Sequence, residues 1–395
     1  MYQKSITDMI DFIRSSLFHV WRFSLGDSFL GDIRRCLLFL YQFIRTSDKS
    51  NYLNISFLFS ILLFLQTIMN SKSIIGIGNA LMDIVVKLPD FEVIKKNNLP
   101  KGSMTLIDAM TSENLNNQTN QFAKILTPGG SVANTVHGLA YLGAKAGFIG
   151  KVGNDELGEK YFNELKQIGA KPTLFKSNTP TGVAMALVTP DSERTFGTYL
   201  GAAIELTPED ITIDLFRNYD IAYIEGYLVQ NHALVLKASE MARKAGLTIA
   251  LDLASFNVVE ENIDFLKHII EEYVDIIFAN EEEAKAFTGL EPEKAIDTLG
   301  NLCDIAVVKI GKNGSLIKFK GDVINVGAIG TECIDTTGAG DLYAAGFLYG
   351  FSKGLPMEAC GKIASIVAGK VITVYGARMD QSLWDVIIKD VKMLL

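Results

Sequence analysis

From Ser73 onward, short apolar runs alternate with stretches of helical spacing. Ile74–Gly78, Ala146–Gly150, Ile221–Glu225, Leu247–Asp252, Asp275–Ala279 and Ile305–Ile310 read as buried strands. Between them lie helical stretches such as Glu156–Gln167, His232–Ala245, Asn262–Tyr273 and Glu281–Phe287. Strands this apolar offer no polar face to water, so both faces have to be covered. A mostly parallel central sheet with helices on both faces meets that need, and the pattern predicts a three-layer α/β fold. Pro356–Leu395 reads as mostly helical.

Two regions break the rhythm. Gly102-Ser-Met-Thr-Leu-Ile-Asp is one, and Thr181–Val188 followed by Arg194–Leu200 is the other, with Thr189-Pro-Asp-Ser-Glu as a turn between its two runs. Strands inserted into an α/β sheet in this way are expected to form a small β-sheet lid, from about 99–112 and 180–203. No internal repeat or low-complexity tract is visible.

Composition narrows the function. A net charge of −8 over 395 residues leaves no basic footprint for nucleic acid. Cys36, Cys303, Cys333 and Cys360 form no C-x-x-C pair and the four histidines do not cluster, so neither a disulfide framework nor a zinc site is expected. The cytoplasm is the default location.

Residues 1–68 differ from the rest: they are rich in Phe, Leu and Ile, and carry seven Lys/Arg against five Asp/Glu. Ile55–Met69 is apolar but short of the roughly 20 residues a membrane span needs. Arg34, Arg35, Arg45 and Lys49 before it would hold the N-terminus inside and send everything after it outside, away from ATP. We therefore expect 1–68 to lie outside the fold or to reflect a misassigned start. Met69 would then begin a single domain over 69–395, with membrane contact only if the extension is real.

The chemistry concentrates in Asp335-Thr-Thr-Gly338-Ala339-Gly340-Asp341. Small residues let backbone N–H groups face an anion, and the helix expected from Leu342 to Tyr349 adds the positive end of its dipole. An acid beside an anion nest repels the anion. It makes sense if Asp341 takes a proton from a hydroxyl that attacks a phosphoryl group held there. A plain strand-to-helix turn that needs small residues is the bland alternative.

Four further groups point the same way. Gly129-Gly130-Ser-Val-Ala-Asn134 opens a helix where a ligand can approach the backbone and Asn134 can bond a hydroxyl. Gly78-Asn79-Ala-Leu-Met-Asp83 follows the first strand, and a carboxylate there suits a sugar diol; a surface Asp capping a helix is the alternative. Asn280-Glu-Glu-Glu283 ends a strand and suits Mg2+, which takes few protein ligands, although a solvated acidic helix start would look the same. Lys309-Ile-Gly311-Lys-Asn-Gly314 is a tight turn able to lie under a nucleotide. A dinucleotide motif fails at Leu81, and a Walker A loop fails at Glu159.

The ordered set G-N-x-x-x-D, G-G-x-x-x-N, G-x-x-G-x-D (Gly150–Asp155), N-x-x-E, K-x-G-x-x-G and D-T-x-G-A-G-D resembles the PfkB/ribokinase family of small-molecule kinases, from about Ile74 to Ala377. The resemblance implies a ribokinase-like fold and transfer of the γ-phosphoryl group of ATP, with Mg2+, to a hydroxyl. It implies Asp341 as base and the backbone of Gly338, Ala339 and Gly340 as anion hole. Asn280 and Glu283 would order magnesium and its waters, Asn280 acting through water, and Asn280, Lys309, Gly311 and Gly314 would border ATP. Asn79, Asp83, Gly129, Gly130 and Asn134 would hold the acceptor, with Arg194 and Phe196 reaching it from the lid.

Asn79 four residues before Asp83 looks most like the adenosine kinase branch. The expected acceptor is thus a nucleoside, adenosine first, with a ribokinase- or fructokinase-like sugar kinase as the alternative. Ile221–Leu228 does not decide between them. A binding protein that lost turnover would commonly lose the base, and Asp341 is present. A monomer or a homodimer is expected.

Overall fold

The strands predicted as buried do alternate their side chains between two cores. The structure, a computed structural model, describes residues 71–191 and 193–395, so the expectations for 1–68, Ile55–Met69 and the Met69 start lie outside the described residues. Among the described residues there are fourteen strands: β1 (Ile74–Ile77), β2 (Leu81–Lys87), β3 (Met104–Leu106), β4 (Lys124–Gly129), β5 (Ala146–Gly153), β6 (Lys171–Ser177) and β7 (Gly182–Val188). They continue with β8 (Arg194–Tyr199), β9 (Ile221–Ile224), β10 (Thr248–Asp252), β11 (Ile276–Asn280), β12 (Ile305–Lys309), β13 (Ser315–Phe319) and β14 (Asp322–Val326).

Nine strands form one sheet in the order β14-β13-β12-β11-β10-β9-β1-β5-β6. It is parallel from β12 to β6 and ends in an antiparallel pair of strands, β13 and β14. Period-2 geometry sends successive residues to opposite faces. Ile74, Tyr223, Phe278 and Val307 enter one core, while Ile75, Ile224, Ile277 and Val308 enter the other. Helices close both faces, which makes the fold three-layered and ribokinase-like, as expected.

The second sheet has five strands, β3-β8-β7-β2-β4. It contains β3, β7 and β8, where the sequence reading put lid strands, and recruits two that it did not see. Asp83 consequently lies in the middle of β2, paired with Thr127 of β4 and Ala184 of β7, and caps no helix. Among the described residues no helix is long and apolar enough to cross a membrane.

Two helices set the geometry of the site. Ser131–Tyr141 and Ala339–Ser352 approach closely at Gly138, where an added Cβ would lie 2.7 Å from Leu342 and 2.8 Å from Ala345. That contact brings the first turns of both helices side by side.

Candidate active site

Five adjacent parallel strands each deliver one polar side chain at or just beyond the C-terminal end. Asn79 follows β1, Glu225 follows β9, Asp252 ends β10, Asn280 ends β11 and Lys309 ends β12. Carboxyl ends of strands are where open α/β sheets bind ligands. All five line one cleft of about 1300 Å³, together with Asp83, Gly130, Ser131, Asn134, Glu283, Gly311, Gly314, Ala339, Gly340 and Asp341. The sheet edge alone accounts for much of this gathering.

Asp341 sits in the first turn of the Ala339–Ser352 helix. Its Oδ1 accepts from Ser131 Oγ at 2.7 Å and its Oδ2 from Asn134 Nδ2 at 2.8 Å. Burial lifts its carboxyl to about 6, against the pull of those two hydrogen bonds. Asn134 Oδ1 is buried without a protein partner, so an acceptor atom is left over beside the carboxylate. Gly338, which precedes the helix, has φ 76°, and a Cβ there would lie 2.5 Å from that of Ala377; only glycine fits this turn.

Asp83 enters from the second sheet. Burial raises it to about 7, with Arg378 and Arg194 pulling down and Asp341 pushing up. Gly129 does not line the cleft: a Cβ on it would lie 2.1 Å from the Asp83 carboxyl, so its bareness makes room for Asp83. Glu225, 2% exposed, accepts from Asn79 Nδ2 at 2.7 Å and from the Asn79 and Val132 amides. Its carboxyl is raised to about 7 by burial.

At the opposite end Lys309 Nζ lies 3.2 Å from Asp252 Oδ2. Burial lowers its affinity for a proton, but Asp252 and Glu283 more than reverse this and the ammonium is held firmly charged. A Cβ on Gly340 would lie 3.2 Å from that ammonium, which therefore stands at the mouth of the glycine loop. Glu283 is not the solvated acid of the bland alternative; it is 2% exposed. It forms a reciprocal cap with Asn280, accepting from Asn280 N at 2.8 Å and Nδ2 at 2.6 Å, while Asn280 Oδ1 accepts from Glu283 N at 2.8 Å. Burial raises its carboxyl, and Lys309 pulls it back.

Arg194 departs from its expected place. It does not line the cleft; its Nη1 lies 2.8 Å from Asp335 Oδ2, because a buried carboxylate is a stronger partner than open solvent. Phe196, two residues on, does line it. Sequence reasoning also missed Ser131, Glu225, Asp252 and Arg378. For Glu225 and Asp252 the signal was present, since each closes a strand that the pattern had already identified.

Comparison with known proteins agrees with this architecture. The family described as pfkB family carbohydrate kinase matches residues 102–383. The chain is similar to the structure of a probable sugar kinase from Rhizobium etli, at 33% identity and TM-score 0.74, covering 82% of this chain and 99% of that one. It is equally similar to the adenosine kinase of Sinorhizobium meliloti, at 34% identity and TM-score 0.72, covering 81% and 99%. Among curated relatives, the 5-dehydro-2-deoxygluconokinase of Listeria innocua is 30% identical over 273 residues, 65% of this chain and 83% of its own length.

Proposed function

The chain belongs to the pfkB family of carbohydrate kinases and is a phosphotransferase with an alcohol group as acceptor; from that premise we propose that it phosphorylates a nucleoside, adenosine first. One observation carries the chemistry: Asp341, with both carboxylate oxygens held by Ser131 and Asn134, opens on the same cleft as the glycine loop and Asp83.

In this reading Asp83 and Asn79 take the diol of the acceptor, and Asn134 Oδ1 accepts a further hydroxyl. Asp341 receives the proton of the attacking hydroxyl while Ser131 and Asn134 fix its two oxygens. The Gly338–Gly340 amides, the helix N-terminus and Lys309 face the charge of the transferring phosphoryl group. Gly311 and Gly314 form the turn under the nucleotide. Kinases of this family use ATP, usually with Mg2+, which neutralises phosphate charge when bound. The donor set suits an ion held through water: both Glu283 oxygens and Asn280 Oδ1 already accept bonds within the cap. Among the described residues no cluster of three or more metal-ligating side chains converges, which fits an ion arriving with its nucleotide. An ATP-consuming reaction suits a cytoplasmic setting.

The acceptor is argued from the wall around Asp83. Met104 and Leu106 are 52% and 53% exposed, and with Phe196, Ile204, Leu206 and Leu228 they line the cleft. An aromatic base would cover this apolar surface; a monosaccharide, all hydroxyls, would leave it bare. The test is ATP with Mg2+ against adenosine, other nucleosides, ribose, fructose and a sugar acid, with the product identified by mass spectrometry. Adenosine should give the highest kcat/KM. Asp83→Ala should raise the acceptor KM about 10- to 100-fold, since charge-assisted bonds contribute roughly 1.5–3 kcal/mol, and spare that of ATP. Turnover of a sugar and of no nucleoside would establish the sugar kinase alternative.

A further inference from the structure

Arg194 heads β8, which lies in the sheet that also carries Asp83, yet its guanidinium reaches the loop that leads to Asp341. Arg194 Nη1 lies 2.8 Å from Asp335 Oδ2 and donates to Thr337 Oγ1 at 3.3 Å. Both ionic side chains are 10% exposed, and the guanidinium rests over the Tyr375 ring, 5.5 Å from its centroid. Asp335 gathers more than this cation. Its Oδ1 accepts from Thr337 N at 3.1 Å and Thr337 Oγ1 at 2.8 Å, and its Oδ2 from Gly376 N at 2.6 Å. One carboxylate thus joins the second sheet, the start of the glycine loop and the segment after the Met357–Val371 helix.

We infer that Arg194 is a positioning residue that couples the seating of the second sheet to the shape of the anion-binding loop. Asp335 fixes the Thr337 amide, and Gly338 must follow it in its left-handed conformation for the next amides to face the cleft. A buried carboxylate holds that arrangement only while a cation neutralises it. Arg194 is that cation, and it is attached to the sheet that covers the acceptor. When the sheet lifts, Asp335 loses its partner and the loop loses its anchor. When the sheet is seated, the nest is formed. Coupling of this kind is reciprocal, so an anion on the loop favours the seated sheet. Phosphoryl transfer would then be favoured once the acceptor is covered, which disfavours transfer to water.

The inference rests on the proposed role of the loop, but its main test needs no substrate. Hydrogen exchange followed by mass spectrometry on the ligand-free full chain should show exchange rising together in peptides covering β8 and peptides covering 335–341 in Arg194→Met, by about tenfold, within the usual range of coupling. Arg194→Lys should give an intermediate rise, because lysine keeps the charge and loses the planar fork and the stacking on Tyr375. It also serves as the readable variant if Arg194→Met does not fold. Faster exchange in β8 with 335–341 unchanged would overturn the coupling. In turnover, Arg194→Met should lower kcat about tenfold with acceptor KM changed less than about threefold. A rise in acceptor KM at constant kcat would instead make Arg194 an acceptor contact. If no acceptor in the panel is turned over, the functional reading fails while the exchange result still decides the coupling.

Discussion

Asp341 and Glu283 both stand in the first turn of a helix, both line the same cleft, and both have carboxyls raised by burial. Their partners differ. Asp341 is held by Ser131 and Asn134, 210 and 207 positions away in the chain, so its setting exists only when the fold has formed. Glu283 is held by Asn280, three positions away, in a cap that its own helix makes without help. A buried acid whose bonds are local satisfies its helix. An acid whose bonds arrive from another element has been placed there by the whole molecule, and the burial penalty it carries calls for a reason other than local stability.

The sharpest way to break the comparison is Asp341→Asn. General-base contributions run about 10²- to 10⁴-fold, and kcat should fall by that much with ATP binding retained. The variant should melt no lower than the wild type, because a neutral amide is cheaper to bury than a carboxylate. Turnover within a few-fold of wild type would remove Asp341 from the chemistry and make it, like Glu283, an acid of the scaffold.

A smaller effect comes with pH, where activity and stability should move in opposite directions. Asp341 is raised to about 6, and Asp83 and Glu225 to about 7. Each folded-state value lies above the unfolded one, so between roughly pH 7 and 4 the native chain binds more protons than the unfolded chain. Stability from these groups is then present at the acid end and lost as pH rises through 6 to 7. The base and the diol-binding carboxylate are needed ionised. kcat/KM for the acceptor should therefore fall about tenfold per unit once pH drops below about 7, where Asp83 takes up a proton, and about a hundredfold per unit below about 6, where Asp341 joins it, while the melting temperature rises between pH 8 and 5.5. A melting temperature that falls steadily below pH 8 would show that these carboxyls are not raised in the folded chain.

Much of the fold was legible because short continuous apolar runs of strand length, set between helical stretches, read as buried strands, and six strands of the central sheet were visible directly. β2 and β4 were not. In Leu81–Lys87 the polar Asp83 and the nearby glycines masked a strand whose outward positions face a cleft and not water. Asp341, the glycine loop, Asp83 and Lys309 were legible as residue types at telling intervals. Glu225 and Asp252 were marked only by closing strands already identified, and Arg378 by nothing, because a single base in a loop looks the same in sequence whether it is exposed or buried. Asp155 shows the opposite error available to motif reading: in its G-x-x-G-x-D run it caps the Glu156–Gln167 helix and bonds Thr181 N and Oγ1, which is structural work. Arg194 was expected on a lid strand and heads β8, but its ion pair with Asp335, 141 positions away, leaves no trace in spacing.

The smallest expected effect is also the one that refines the comparison most, Glu283→Gln. Glutamine keeps one acceptor for the Asn280 amide and puts an NH2 against Asn280 Nδ2, so the cap loses about 1 kcal/mol and the chain melts a few degrees lower. If Glu283 does nothing else, kcat and the Mg2+ requirement stay as they were, and the acid belongs wholly to its helix. We expect more than that, since its buried carboxylate still faces the cleft beside Lys309. Outer-sphere partners of a metal typically contribute 10- to 100-fold in affinity, so half-maximal Mg2+ should rise about tenfold while saturating Mg2+ restores kcat to within about threefold. A loss of kcat of about 100-fold that saturating Mg2+ does not repair would make Glu283 a direct ligand. Its bonds to Asn280 would then have to open in the working enzyme, and the distinction between local and long-range partners would hold only for the empty cleft.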